Sequence, residues 1–387
     1  MTKLQNRNAL IIGAGVSGLT TALCLRRLGI QSTIVAEKFA PEITSVVAGA
    51  LWEWPPAVCG YHQDQAALER AKHWSLTSYR KFEKVSLAPE TGVYLRPSAF
   101  FFRNRVEDHE PHLRKMNEFR DHVKGFVHDA ALIGQTGVNP NIGLKDAYSY
   151  LAPMVDTDVY MQWLLGKVKE AGCGVIQGKI EGDLASQEER LKRKFRADVV
   201  VNCTGLGARE LVKDEMFPLR GALVRVMNDG KHFPRITRAY CISHDDVTGD
   251  QEIVFIVPRG EDRLILGALV EPNEWSTDIN LENHEPIRRM YERCMEFLPM
   301  LKKAQLDSAE PVRAGLRPFR KLSVRVDQDP GTSIFHNYGH GGAGVTFSWG
   351  CAAEVAELVN QHLSLDEKVI SADMSDLAAS GAPQPRR

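Results

Sequence analysis

Apolar positions come in short runs separated by polar, glycine-rich breaks. The first run, Ala9-Leu10-Ile11-Ile12, leads through three glycines into a helical pattern, and a second run follows at Thr33-Ile34-Val35-Ala36. Strand, helix and strand in that order predict a β-α-β unit over residues 9–37. Residues 64–86 have helical character. Segment 87–150 is of mixed polarity and carries Tyr94, Phe100, Phe101 and Phe102. A helix start is expected at Asp156-Thr157-Asp158, with Val159, Tyr160, Trp163, Leu164, Leu165 and Val168 at helical spacing. A strand is expected from Cys173. The stretch 197–205, Ala-Asp-Val-Val-Val-Asn-Cys-Thr-Gly, is a continuous apolar strand of the kind buried in parallel sheets, ending in a tight turn. Runs at 222–227 and 253–270 with turn signals between them suggest an antiparallel sheet. Helical character returns at 281–304, and the glycine-rich stretch 334–344 joins a strand to a helix expected from Ser348 to Leu363.

These elements predict an α/β Rossmann-like nucleotide domain in three pieces, residues 1–86, 151–218 and 310–366. An α+β domain on an antiparallel sheet, residues 87–150 and 219–309, is interleaved with it. The tail, 367–387, is Ser/Ala/Asp/Pro-rich and expected to be disordered.

The 387 residues suit two domains. With 48 basic and 49 acidic residues the chain has no bulk bias toward nucleic acid or a membrane surface. No apolar run reaches the roughly 18 residues that span a bilayer. The N-terminus leads directly into a core strand and reads as lacking a signal peptide. Seven scattered cysteines without CxxC spacing read as reduced thiols of a cytoplasmic protein and not as a metal site.

The glycine break carries the first chemical signal. Gly13, Gly15 and Gly18 have G-x-G-x-x-G spacing between a strand and a helix, and Glu37 ends the second strand. Gly13 permits the turn, Gly15 lets backbone approach a pyrophosphate, and Gly18 lets the helix pack on the sheet. The helix N-terminus favours phosphate, and Glu37 can accept hydrogen bonds from ribose hydroxyls. This predicts dinucleotide binding; the motif alone does not separate FAD from NAD.

Three separated segments then agree: the N-terminal clamp, Val201-Asn202-Cys203-Thr204-Gly205-Leu206-Gly207-Ala208-Arg209, and the pair Gly315-Leu316-Arg317-Pro318-Phe319-Arg320 with His336-Asn337-Tyr338-Gly339-His340-Gly341-Gly342. Together with Val47-Ala48-Gly49-Ala50-Leu51-Trp52 and Asn273-Glu274-Trp275, the chain resembles the D-amino-acid oxidase family of FAD-dependent amine oxidases, from about residue 9 to 363. The resemblance implies non-covalent FAD. Gly13, Ala14, Gly15, Val16, Ser17, Gly18, Glu37 and Lys38 would hold its ADP moiety. Thr44, Ser45, Gly49, Ala50 and Leu51 would lie toward the ring, and Cys203, Thr204 and Gly205 would pass close to the cofactor. Gly339, Gly341, Gly342, Gly344, Val345 and Thr346 would cap the flavin, where a helix N-terminus stabilises negative charge. An arginine in the position of Arg317 would clamp the substrate carboxylate, a task suited to its planar fork. The Gly342 carbonyl would accept from the amine. Arg313, Arg320 and Arg325 read as surface or structural cations.

Two departures from the family pattern bear on the substrate. A tyrosine is usual where Phe255 stands, and the second usual tyrosine falls at Gln251. Tyr240 or His244 is a candidate replacement donor. The glutamine usual after Leu-Trp is Glu53, which either binds a cationic substrate group or pairs with a neighbouring arginine. Trp54 is expected to line the same region. His340 is read either as a core or supporting histidine or as catalytic, and Cys59 either as a loop thiol or as a flavin tether. The implied reaction is oxidative deamination of an amino acid, foremost a D-amino acid. Hydride passes to flavin N5, O2 is reduced to H2O2, and the imine hydrolyses to a keto acid and ammonia. Oxidation of an L-, secondary or specialised amine, and a non-catalytic flavin protein, are the alternatives. The substrate side chain and the oligomeric state, a homodimer included, stay open.

Overall fold

The structure is a computed structural model that describes residues 7–55, 62–242 and 253–380, with side chains described as far as 364. The chain runs β1 (Asn8–Ile12), α1 (Val16–Arg27), β2 (Gln31–Ala36), α2 (Thr44–Val47), α3 (Gln65–Val85), β3 (Val93–Phe102), α4 (Glu110–Phe119), β4 (Lys124–His128), α5 (Leu132–Gln135) and β5 (Asp146–Val155). It continues through α6 (Thr157–Glu170), β6 (Gly174–Gln177), α7 (Glu188–Phe195), β7 (Val199–Asn202), α8 (Ala208–Leu211), β8 (Met216–Met227), β9 (Ala239–Ile242), β10 (Val254–Arg259), β11 (Arg263–Gly267) and β12 (Glu271–Pro272). Last come α9 (Glu285–Phe297), β13 (Val312–Arg320), β14 (Arg325–Gln328), β15 (Ile334–Tyr338) and α10 (Gly344–Ser380).

The first sheet has the order β14-β15-β7-β1-β2-β6. Its strands are parallel except for β14, which pairs antiparallel with β15 at one edge. Burial on both faces explains the continuous apolar runs. Ala9 and Ile11 face a core shared with α1, α3, α6 and α10, while Leu10 and Ile12 face another that includes Leu191 of α7 and Val200. This is a Rossmann-like α/β layer.

The second sheet has the order β12-β8-β11-β10-β9-β3-β5-β4, with β13 also on β8. It is antiparallel apart from the parallel pair β3–β9. Side chains alternate between two cores, as period 2 requires. Ala99 and Phe101 face a core with Ile287, Met290, Cys294 and Phe297 of α9. Phe100 and Phe102 face the opposite one, which holds Trp52, Trp54 and Tyr79.

The structure departs from the expected boundaries at four places. β5 crosses the boundary at 150/151 and β8 that at 218/219, and β13 joins the second sheet although residues 310–366 were expected in the first layer. Apolar runs locate strands, but they do not say which sheet takes them. The segment expected to be disordered from 367 continues α10 as far as Ser380. Its Ala, Leu, Lys and Glu are strong helix formers, and no proline interrupts it before Pro383.

Candidate active site

One cavity of about 880 Å³ is lined from both sheets. At one end Gly13, Ala14, Gly15, Val16 and Ser17 carry β1 into the N-terminus of α1, beside Glu37 and Lys38 at the end of β2. Gly13 has φ +110°, and a Cβ there would sit 2.5 Å from the Cys203 carbonyl oxygen. Gly18 lies off the cavity, because its own missing side chain lets α1 rest on the Gly13 carbonyl. Gly15 caps α1 without a side-chain bond, and Val16 N–H donates to Ser45 Oγ at 3.0 Å. Cys203, Thr204 and Gly205 line the same space, and burial pushes the Cys203 thiol up to about 12.

Further along, Thr44, Ser45, Gly49, Ala50 and Leu51 face the cavity from one side. Gly341, Gly342, Gly344, Val345 and Thr346 face it at the start of α10. Gly339 does not reach it. Its φ is +83°, and a Cβ there would press on the Arg320 side chain, so it makes the turn after β15.

His340 is 4 % exposed and lines the cavity wall. Burial lowers its pKa to about 4, so the ring is neutral at pH 7. Asn337 Nδ2 donates to Thr21 Oγ1 at 3.0 Å, which leaves Asn337 Oδ1 to accept from His340 Nε2 at 3.0 Å. Nδ1 then faces Ser17 Oγ at 3.5 Å. This network ties the glycine loop to α1.

Arg317 stands inside β13 and not at a strand end, opposite Leu219 of β8. Pro318 is tolerated because β13 is an outer strand. The guanidinium lies flat over Gly221, where any Cβ would overlap it. Its Nη1 donates to the carbonyls of Leu269 at 3.0 Å and Arg220 at 3.3 Å. It makes no ion pair with any described carboxylate. The neighbouring arginines differ: Arg313 pairs with Asp158 and Glu310, Arg320 with Asp214, and Arg325 with Asp327 and Asp329.

Phe255 lines the cavity with its ring against Gly49, where a Cβ would come within 2.7 Å. Tyr240 does not join it. Phe255 pairs with Cys241, so alternation turns Tyr240 to the opposite face. There its hydroxyl donates to the Thr136 carbonyl at 3.2 Å. Glu53 lines the cavity and pairs with Lys115 of α4 at 3.1 Å, a lysine and not the arginine considered above. Trp54 lies behind the wall, 3 % exposed, donating to Glu118 at 3.2 Å. His244, Gln251 and Cys59 fall outside the described residues.

Sequence reasoning passed over Gly221, although a glycine inside a strand signals close approach of another group. It also passed over Asn337 and Thr21, whose pairing no local pattern announces. Arg209, whose guanidinium stacks 5.6 Å from the ring of the half-exposed Trp275, lines the cavity as well.

Residues 8–358 match the model of a family described as FAD dependent oxidoreductase. The chain belongs to this family. A D-amino-acid oxidase from Rubrobacter xylanophilus is 34 % identical over 359 residues, covering 92 % of this chain and 97 % of that one. One from Streptomyces coelicolor is 34 % identical over 368 residues, covering 92 % and 98 %. The glycine oxidase structure from Bacillus cereus superposes with TM-score 0.71 at 18 % identity, covering 92 % of this chain and 96 % of that one. The cofactor of the family fits the cavity. Its volume is within the usual range for ligand clefts, and its backbone at Gly13 leaves no room for a side chain.

Proposed function

We propose that this chain is an FAD-dependent amino-acid oxidase acting foremost on D-amino acids, with O2 as electron acceptor. The carrying observation is Arg317, a cation on the cavity wall held by two carbonyls and by no described carboxylate. A guanidinium on a cavity wall that pairs with no described carboxylate is a site for one, and its planar fork suits a carboxylate.

FAD, when bound, would supply a two-electron acceptor for the hydride of the substrate α-carbon and a route for those electrons to O2, which with the proton released from the amine gives H2O2. Residues 13–17, Glu37 and Lys38 would hold its nucleotide end, and Thr44, Ser45, Gly49, Ala50 and Leu51 with residues 341–346 would hold its ring end. Arg317 fixes the substrate carboxylate and with it the direction of the Cα–H bond. The Gly342 carbonyl accepts an N–H of the neutral amine, so the nitrogen lone pair can form the imine that water later converts to keto acid and ammonia. Phe255 closes the pocket against Gly49 and excludes water. The N-terminal turn of α10 favours negative charge developing beside it. His340 stays neutral and hydrogen-bonded, and so acts as a brace and not as a base.

The test is anaerobic bleaching of the purified flavoprotein by a panel of D-, L- and N-methyl amino acids. D-amino acids should bleach it, with peroxide released on admitting air. Bleaching by L- or N-methyl amino acids alone would contradict the stereochemistry, and bleaching by none would contradict catalysis.

A further inference from the structure

Glu53 gives the cavity a second charge besides Arg317. Arg317 lies over Gly221 of β8. The second sheet then steps through β11 and β10 to β9, where Cys241 stands beside Phe255. Leu51 bridges to Met154 of β5, and Trp52 N–H donates to the Pro153 carbonyl at 2.9 Å, so the chain brings Glu53 to the cavity from the β5 side. Arg317 and Glu53 therefore reach one cavity from strands on opposite sides of β10.

The sign of the far end follows from which partner meets the cavity. Glu53 is on the lining and Lys115 is not. The Lys115 side chain is 6 % exposed and lies behind the carboxylate, 3.1 Å away. A ligand between Phe255 and the far wall therefore meets the acid first. Lys115 pairs with the carboxylate from behind, and a second cation in front of it makes a chain of alternating charge.

We propose that Glu53 selects substrates whose side chain ends in a guanidinium or an ammonium, with Arg317 holding their carboxylate at the opposite end. This rests on the oxidase reading above. A charge-assisted hydrogen bond corresponds to a preference of about 10–100-fold.

The experiment compares isosteres on the purified holoenzyme. D-arginine is set against D-citrulline, and D-lysine against D-norleucine, by kcat/KM for peroxide release. D-glutamate is the charge-reversed control. The wild type should prefer each cationic member by at least 10-fold, mainly in KM, and Glu53→Gln should bring both ratios to within about threefold. Ligand binding gives a readout independent of turnover: 4-guanidinobutyrate should shift the flavin spectrum at lower concentration than hexanoate in the wild type but not in Glu53→Gln. The wild-type ratios decide the matter even if the variant does not fold. Cationic-to-neutral ratios near one, or a preference for D-glutamate, overturn the proposal while leaving the oxidase reading intact. If no amino acid of either kind bleaches the flavin, the oxidase reading itself fails and this proposal falls with it.

Discussion

Gly221→Ala moves the carboxylate clamp without removing its charge. A Cβ at residue 221 would overlap only the Arg317 guanidinium among its nearest neighbours, and φ there is outside the left-handed region. The strand can therefore keep its path while the guanidinium withdraws by about 1 Å, the shortfall from ordinary contact. Leaving the Leu269 or Arg220 carbonyl costs about 1 kcal/mol. Loss of glycine freedom in the unfolded chain returns about 0.4–1 kcal/mol, so net stability is nearly unchanged. Catalysis should respond far more. A displacement of about 1 Å in a positioned reactant can cost about 100-fold in rate, or roughly 2.7 kcal/mol. The assay is stopped-flow anaerobic flavin reduction, with FAD content and the urea midpoint measured on the same preparation. Full FAD occupancy, a near-normal midpoint and kcat/KM lowered by about 100-fold are expected. Wild-type reduction rates in that folded variant would show that the position of Arg317 is irrelevant to the substrate.

Three further outcomes are expected. Tyr240→Phe should leave kcat/KM unchanged and cost about 1 kcal/mol in urea unfolding, because its hydroxyl serves Thr136 on the far face; a large loss of turnover would return Tyr240 to the site. Arg259 is buried and donates to Thr157 and to the Ala48 and Gly49 carbonyls, beside the ring-facing loop. Arg259→Met should cost about 2–4 kcal/mol and weaken FAD retention on gel filtration; unaltered FAD affinity would contradict its place as a brace. His340 has a folded pKa of about 4 against 6.5 unfolded, so between these values the unfolded chain binds the extra proton and stability falls as pH drops. The effect is about 1.4 kcal/mol per pH unit in that window and absent above it. His336 and His62, also lowered by burial, add to the slope. His340→Asn should flatten the dependence of the urea midpoint between pH 6.5 and 4.5, and an unchanged slope would refute the neutral buried ring.

The nucleotide layer was legible because its signals are local. A buried parallel strand shows as an unbroken apolar run, and Gly13 and Gly18 stand where close approach and positive φ require them. The substrate end was less legible because it is assembled across strands. Tyr240 is one residue from Cys241, and only the β9–β10 register decides which of them faces the cavity. The Glu53 partner lies 62 positions away on α4, so no spacing rule could choose Lys115 over an arginine. His340 reads as a lone histidine until Asn337 of β15 and Ser17 of α1 take up its two ring nitrogens. Arg317 was visible, whereas its freedom from a described carboxylate belongs to the packing of β8 against β13.

The central claim is that Arg317 recognises a substrate carboxylate. It is tested most directly by anaerobic flavin reduction with an amino acid and with the amine that lacks its carboxylate, in the wild type and in Arg317→Met. The wild type should be reduced at least about 100-fold more efficiently by the amino acid, as expected when a charged, hydrogen-bonded partner is removed. The variant should retain FAD and lose that discrimination. Equal discrimination in the two proteins would contradict the claim.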